Sequence, residues 1–108
     1  MAALLVLTNL PDVESADKLA TVLVERRLAA CVNRLSPCRS TYRWQGVVQQ
    51  ETELPLLIKT SVESYPALES AIRELHPYEL PEIIALDIAG GLPSYLAWVA
   101  TETGACPA

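Results

Sequence analysis

The chain has 108 residues, enough for one domain with a modest core, so we predict a single domain over residues 1–108. About half of it is apolar (51%), yet no run reaches the about 20 apolar residues of a membrane-spanning helix, so we expect no membrane partner. The net charge of −5 disfavours a nucleic-acid partner, because binding to a phosphate backbone depends on Lys and Arg. There is one histidine, and the three cysteines form no C-x-x-C pair, which gives no support for a disulfide framework, a zinc finger or a multi-histidine site in one chain.

The first quarter of the chain predicts a strand followed by a helix. Residues 3–8 form a continuous apolar run, which is typical of a strand buried on both faces. Asp12 is the predicted N-cap of a helix whose apolar residues recur at helical spacing, at Ala16, Leu19, Ala20 and Leu23. Because the apolar run lacks a basic region and a cleavage pattern, we interpret it as a strand and not as a signal peptide, and we expect a cytoplasmic protein.

A strand candidate over residues 29–35 is followed by a long β-ribbon. The two arms of the ribbon are residues 39–44 and 47–60, and Gln45-Gly46 between them suits a two-residue hairpin turn. At about 3.4 Å per residue the second arm would reach about 45 Å, whereas a compact domain of about 100 residues has a radius of gyration of about 13 Å. We therefore expect the tip to extend beyond its own core and to pair with other copies of the chain in a closed ring. The alternative is a shorter hairpin with a flexible polar middle.

Prolines, glycines and capping residues set the remaining boundaries. Pro55 removes one hydrogen-bond donor, so we expect its part of the second arm to be an edge or a bulge. A helix is predicted over residues 61–75, with Ser64 as a cap and His76-Pro77 as its end; its predicted buried stripe is Leu68, Ala71, Ile72 and Leu75. An apolar strand over residues 83–88 ends at Gly90-Gly91. Ser94 is then the predicted cap of a last helix, which carries Tyr95, Leu96, Trp98 and Val99.

The order of these elements predicts the fold class. A strand-helix-strand unit, the ribbon, a second strand-helix-strand unit and a short C-terminal helix follow one another with short connections. This alternation favours an α+β protein over a helix bundle or an all-β sandwich. Two such units back to back predict a ferredoxin-like βαββαβ sheet with its helices on one face.

Residues 76–82, His-Pro-Tyr-Glu-Leu-Pro-Glu, are the densest group of polar side chains. Two prolines stiffen this segment and fix the directions of its side chains. The imidazole of His76 and the carboxylate of Glu82 are donors that copper(II) or zinc accepts. A shared metal site needs the segment to bend back or a second chain to contribute. The alternative is that His76 interacts with the C-terminal end of its helix.

Lys59, the aromatic residues and the cysteines are the other candidates. Lys59 lies on an apolar strand, where it would hold an anionic ligand or a carboxylate such as Glu82, or emerge into water at the strand end. Tyr42, Trp44 and Trp98 are interpreted as packing residues, with the alternative that Trp44 lines a groove between subunits. Cys31 is expected to be a small buried residue and Cys38 an exposed thiol.

Motifs of nucleophilic and phosphate chemistry are missing from the sequence. There is no nucleophile elbow, no phosphate-binding glycine loop and no H-E-x-x-H. We therefore interpret the chain as a binding or assembly protein, not an enzyme.

Four motifs together resemble the CutA family of divalent-cation tolerance proteins. They are Leu28-Ala-Ala-Cys-Val-Asn33, Tyr42-Arg-Trp-Gln-Gly46, Leu57-Ile-Lys-Thr60 and His76-Pro-Tyr-Glu-Leu-Pro-Glu-Ile83, and the resemblance covers about residues 4 to 103. It implies a ferredoxin-like domain with a terminal helix, assembled as a cytoplasmic homotrimer in which the long ribbons of neighbouring subunits pair. The family is also similar to the PII signalling proteins in fold and trimeric build.

The resemblance implies a role in the response to divalent metal ions, with copper(II) or another divalent metal as a ligand and no obligatory cofactor. His76 and Glu82 match the positions of metal ligands, and a ligand cleft would be lined by Tyr42, Trp44, Lys59 and Tyr78. Some members have a Cys where this chain has Thr8 and a second His where it has Leu75, so the implied copper site is weak. The alternatives are a PII-like sensor that binds a small anion in clefts between subunits, and a scaffold whose trimer is itself the function.

Overall fold

The computed structural model describes residues 2–104, which form five strands and three helices; Cys106 lies outside this range. In chain order the elements are β1 (Ala3–Leu10), α1 (Val13–Glu25), β2 (Cys31–Arg34), β3 (Cys38–Trp44), β4 (Val47–Ser61), α2 (Tyr65–Leu75), β5 (Ile84–Asp87) and α3 (Pro93–Glu102). The strands form one antiparallel sheet in the order β2-β4-β1-β5, and β3 pairs with β4. The predicted α+β class is confirmed. No helix within residues 2–104 is long and apolar enough to cross a membrane.

The helix ends test the predicted caps. Asp12 is the N-cap of α1, and its carboxylate accepts a hydrogen bond from the Ser15 backbone N–H at 2.7 Å, as predicted. Ser64 occupies the N-cap position of α2, but its Oγ pairs with Ser61 Oγ at 3.1 Å instead of capping the helix. The predicted start of this helix at residue 61 is wrong, because Ser61 is still paired in β4. The predicted cap of α3 at Ser94 is also wrong, since Leu92 holds that position and a proline follows it as the first helical residue.

The ribbon, defined as β3 together with residues 47–53 of β4, has the predicted form. Gln45 and Gly46 have φ values of 49° and 81°, the pair of positive angles that a type I′ hairpin turn requires. Pairing of β1 with β4 ends at Leu10 and Leu54, so the ribbon continues beyond the four-stranded part of the sheet. The described residues accordingly measure 48 Å along their longest axis and 27 and 23 Å across.

Pro55 lies beside a bulge, as one of its two predicted alternatives required. Arg34 is opposite Leu56 and Cys38 is opposite Glu53, so the three residues 35–37 face the two residues 54–55. The other alternative, an edge, is wrong, because Pro55 is opposite Asn9 of β1 on one side and its carbonyl accepts from the Leu35 N–H at 2.9 Å on the other. The N–H and C=O of a strand residue point to the same side, so the donor that proline lacks would face the bulge.

The two faces of the sheet differ in what covers them. Side chains of β1 and β4 alternate between the faces, and α1 and α2 cover the face of Val6, Leu56 and Ile58, which are fully buried. We call this the helix face. On the other face, which we call the open face, Ile84 and Leu86 of the edge strand β5 remain 48% and 49% exposed. The helix α3 lies at one end of the open face, where the hydroxyls of Thr103 and Ser61 are hydrogen-bonded at 3.1 Å.

Burial within the helices departs from the predicted pattern at three positions: Ala20 of α1 is half-buried, Trp98 of α3, interpreted as a packing residue, is 42% exposed, and Leu75 of α2 is exposed. Leu68, Ala71 and Ile72 of α2 are buried, but Leu75 is 38% exposed. The prediction for Leu75 is wrong because this last turn borders a shallow groove beside α1, lined also by Val22 and Pro77.

Candidate functional site

A cleft of about 1100 Å³ opens between the ribbon and residues 77–84. Tyr42 and Trp44 line it from β3, and Tyr78 and Glu82 line it from the segment that follows α2. Tyr42 and Trp44 share one face of the ribbon because they are two residues apart on a strand. The structure therefore brings four of the predicted site residues together, and the cleft is formed by elements from distant parts of the chain.

Glu53 is the residue of this cleft that the sequence analysis missed. It is only 7% exposed, and its Oε2 accepts a hydrogen bond from the hydroxyl of Tyr78 at 2.9 Å. The pKa of Tyr78 is raised, mainly by burial and secondly by this hydrogen bond, so the phenol stays protonated and donates. Strand alternation could have placed Glu53 with Glu51 on the cleft side of β4. The sequence around Glu53, however, does not indicate that Tyr78 is its partner.

His76 lies beneath the cleft and is 7% exposed. Its Nε2 donates to the backbone carbonyl of Asn9 at 2.6 Å, and its Nδ1 accepts from the backbone N–H of Tyr78 at 3.1 Å. Burial lowers the pKa of His76, and it outweighs the opposing effects of the bond to Asn9 and of the negative charge of Glu53. The ring is therefore neutral, with its proton on Nε2.

Glu82 and His76 are linked through Asn9, to which each is hydrogen-bonded. The carboxylate of Glu82 is exposed, and its Oε1 accepts from the Asn9 side-chain amide at 3.2 Å. Within residues 2–104 no three or more His, Cys, Asp or Glu side chains are placed to hold a metal ion. Both nitrogens of His76 are already occupied, so His76 and Glu82 do not fit a metal centre within one chain.

The family resemblance implied metal ligands of some members at the positions of Thr8 and Leu75. Neither residue lines the cleft that holds Glu82, and Leu75 borders the groove beside α1 instead. Thr8 is fully buried on the helix face, and its hydroxyl has no hydrogen-bond partner among the described residues. Its neighbour Asn9 is the residue that reaches the cleft. A ligand at position 8 would thus point into the core and not toward Glu82.

Lys59 does not join the cleft. Its Nζ hydrogen-bonds Asn33 Oδ1 and lies 4.0 Å from Cys31 Sγ. It shares the open face with Glu53, but six residues separate the two along β4, which is about 20 Å. Cys31 is half-buried instead of buried as expected, and Cys38 is exposed as predicted.

The charges of the cleft are mostly negative. Its lining includes one arginine, Arg43, and four carboxylates, from Glu51, Glu53, Glu79 and Glu82. A cleft lined by one sign of charge concentrates ions of the opposite sign. The electrostatics of this cleft therefore favour a cation over an anion.

The fold and the site define the class of protein: an α+β domain with a projecting ribbon and an acidic, aromatic cleft beside it. The family model described as CutA1 divalent ion tolerance protein matches residues 4–102. A divalent-cation tolerance protein CutA of Thermus thermophilus is 48% identical over 99 residues, which span 92% of this chain and 96% of that protein. The mouse Protein CutA is 43% identical over 89 residues, which are 82% of this chain and 50% of the mouse protein.

Solved structures agree with this assignment. The structure of the divalent cation tolerance protein Cut A1 from Thermus thermophilus superimposes with a TM-score of 0.93 at 47% identity, covering 94% of this chain and 99% of that chain. CutA1 of a psychrotrophic Shewanella bacterium superimposes with a TM-score of 0.92 at 41% identity, covering 95% of this chain and 96% of that chain. The chain belongs to the CutA1 family of divalent ion tolerance proteins, which confirms the resemblance drawn from its motifs.

Proposed function

We propose that the protein acts in the response to divalent cations as a homotrimer of ferredoxin-like subunits with a PII-like build. The relatives are named for divalent-cation tolerance and not for an enzymatic reaction, so we infer a binding role. The sheet order β2-β4-β1-β5 supports the ferredoxin-like class, because β4 lies between the two strands that flank α1, as in a split βαβ unit. The number three comes from the family resemblance.

The observation that carries the proposal is the open edge of the ribbon. Backbone groups of successive strand residues point alternately to the two sides of a strand. In a two-residue hairpin the closing pair, Trp44 and Val47, is hydrogen-bonded, so the N–H groups of Val48, Gln50 and Thr52 point away from β3. β1 pairs with this side of β4 only from Leu54 to Ser61. From Val47 to Glu53 no strand of residues 2–104 pairs with it. An open edge of this length is a template for pairing with another chain.

The open face provides a second surface for the same assembly. Ile84 and Leu86 lie on an edge strand and keep about half of their surface exposed. On α3 the rings of Tyr95 and Trp98 pack against each other at 5.5 Å, yet both are exposed in the single chain. Covering these side chains with a second copy would add apolar burial at about 25 cal/mol per Å².

Sedimentation equilibrium tests the trimer directly. We expect the wild type to have the mass of three chains. The mass of Leu86→Asp should shift toward that of one chain, because a carboxylate would be buried at the subunit contact. The matched control is Val13→Asp, since Val13 is 48% exposed on α1, close to the 49% of Leu86, but lies outside the open face. A wild type of one chain mass, or equal dissociation by both substitutions, would refute the proposal.

The acidic cleft supports a cationic ligand in the proposed function. The sequence analysis predicted His76 and Glu82 as weak copper(II) contacts. Because both nitrogens of His76 are hydrogen-bonded, the proposed contacts are Glu82 and the other carboxylates of the cleft, completed by carboxylates from a second subunit. The alternative, an anion sensor, has only Arg43 in the cleft, because Lys59 is bonded to Asn33 on the open face. A thermal-shift comparison separates the two: copper(II) or zinc should raise the melting temperature, whereas a rise caused only by nucleotides or small acids would favour the sensor.

The compartment is a separate proposal. Within residues 2–104, Cys31 and Cys38 form no disulfide, which supports a reducing compartment such as the cytoplasm. The CutA structure from Archaeoglobus fulgidus is described as that of a periplasmic protein. Fractionation of cells that express the chain, followed by immunoblotting, would decide between the two compartments.

A further inference from the structure

We infer that His76 is a positioning residue that shapes the cleft through Tyr78, and that it does not bind the metal. The inference rests on the proposed function only in treating this cleft as the ligand site. It differs from the metal role implied by family resemblance, and it follows from which atom of the imidazole faces which partner.

The partners of His76 leave no free lone pair on its ring. The carbonyl of Asn9 can only accept, so Nε2 must carry the proton at 2.6 Å from it. The N–H of Tyr78 can only donate, so Nδ1 must present its lone pair at 3.1 Å. A metal ion binds an imidazole nitrogen through that lone pair. Metal binding would therefore break one of two hydrogen bonds of a side chain that is only 7% exposed.

The same contacts fix Tyr78 at both of its ends. His76 holds the backbone N–H of Tyr78, the two rings pack with their centroids 4.8 Å apart, and Glu53 accepts from the phenol hydroxyl at 2.9 Å. Without His76, the bond from the Tyr78 hydroxyl to Glu53 would be the one hydrogen bond left to Tyr78 among residues 2–104.

Asn9 extends the arrangement from His76 to Glu82. Its carbonyl accepts from His76, and its side-chain amide donates to Glu82 at 3.2 Å. One imidazole thus ties β1 to the segment that carries both Tyr78 and Glu82. The chemistry of ligand contact is left to the phenols and carboxylates of the cleft.

The tautomer is directly measurable, because the chain has a single histidine. A long-range ¹H–¹⁵N spectrum of the full chain contains one imidazole, and at neutral pH we expect the neutral form with the proton on Nε2. Added zinc should leave its two nitrogen resonances in place. A proton on Nδ1, or a zinc-dependent shift of either nitrogen, would overturn the inference.

Two conservative variants separate the two hydrogen bonds. His76→Gln keeps a donor near the Nε2 position, and His76→Asn keeps an acceptor near the Nδ1 position. With ¹³C-labelled tyrosine, we expect His76→Asn to retain the wild-type Tyr78 Cζ resonance more fully than His76→Ala, because it still holds the Tyr78 N–H. Identical Tyr78 resonances in the wild type and in folded His76→Ala would overturn the positioning role.

Zinc titration by calorimetry completes the test. We expect His76→Gln to bind zinc as the wild type does, because it keeps the donor to Asn9, which holds Glu82. Glu82→Gln should lose at least about tenfold in affinity, the smallest loss typical even of changes to outer-shell partners of a metal. A tenfold loss confined to a folded His76→Gln would contradict the inference. If the wild type binds no zinc, the metal part of the proposed function fails, and the tautomer measurement alone then decides the role of His76.

Discussion

Apolar side chains lie on both faces of the sheet, but their surroundings are very different. On the helix face Val6, Leu56 and Ile58 are fully buried beneath α1 and α2. On the open face Ile84 and Leu86 keep about half of their surface exposed, although their strand is just as apolar. The helix face is covered by α1 and α2 within one chain, whereas the open face, which also holds Lys59 and Glu53, keeps an exposed apolar patch at β5. Such a patch marks a site of interaction.

The largest expected effect is the loss of packing on the helix face. Ile58→Ala should lower the free energy of unfolding by about 2–5 kcal/mol, because it removes buried methylenes and leaves a cavity. Leu86→Ala, studied at a dilution where the wild type is monomeric, should cost far less, since Leu86 is already half exposed. Urea denaturation measures both changes. Equal losses would remove the distinction between the two faces.

The hydroxyls of Tyr78 and Tyr65 allow a second comparison between the cleft and the helix-face core. The Tyr78 hydroxyl donates to Glu53 at 2.9 Å, and the Tyr65 hydroxyl donates to Glu69 at 2.8 Å beside the helix-face core. Tyr78→Phe should cost about 1–3 kcal/mol, because it leaves a buried carboxylate without its donor. Tyr65→Phe should cost less than about 1 kcal/mol, since water can reach the more exposed Glu69. A larger loss for Tyr65→Phe would refute the importance of Glu53.

The turn of the ribbon should show a smaller effect. Gly46 has a φ of 81° and no neighbour within 4 Å of an added Cβ, so Gly46→Ala tests the backbone angle alone. We expect a loss of about 1 kcal/mol in the free energy of unfolding, the cost of a left-handed conformation for a residue with a Cβ. Gly90→Ala is the control, because Gly90 also has open space around it but no such φ. Equal effects of the two substitutions would show that the turn angle is not a constraint.

The ribbon and the first helix could be predicted because their signals are local. Gln45-Gly46 determines the turn. Asp12 caps its helix by accepting a hydrogen bond from the N–H of Ser15, only three residues further along the chain. Ser94 misled the prediction because Leu92 and the proline that follows it start the helix earlier, and proline is favoured at the first helical position.

The candidate site could be predicted only in part, because its contacts join distant residues. Tyr42, Trp44, Tyr78 and Glu82 do share the cleft. The burial of Glu53, however, depends on a tyrosine 25 residues further along the chain, and the role of His76 depends on a carbonyl 67 residues away. Likewise, no local pattern assigns Lys59 to Asn33, which reaches it from the neighbouring strand β2.

Amide hydrogen exchange along β4 tests most directly whether other copies of the chain pair with the open edge of the ribbon. The N–H groups of Val47, Gln49 and Glu51 face β3, whereas those of Val48, Gln50 and Thr52 face the open edge. If ribbons of neighbouring subunits pair, both groups should exchange slowly at concentrations where the trimer forms. Rapid exchange of the Val48, Gln50 and Thr52 amides at those concentrations, beside slow exchange of the other three, would contradict the account.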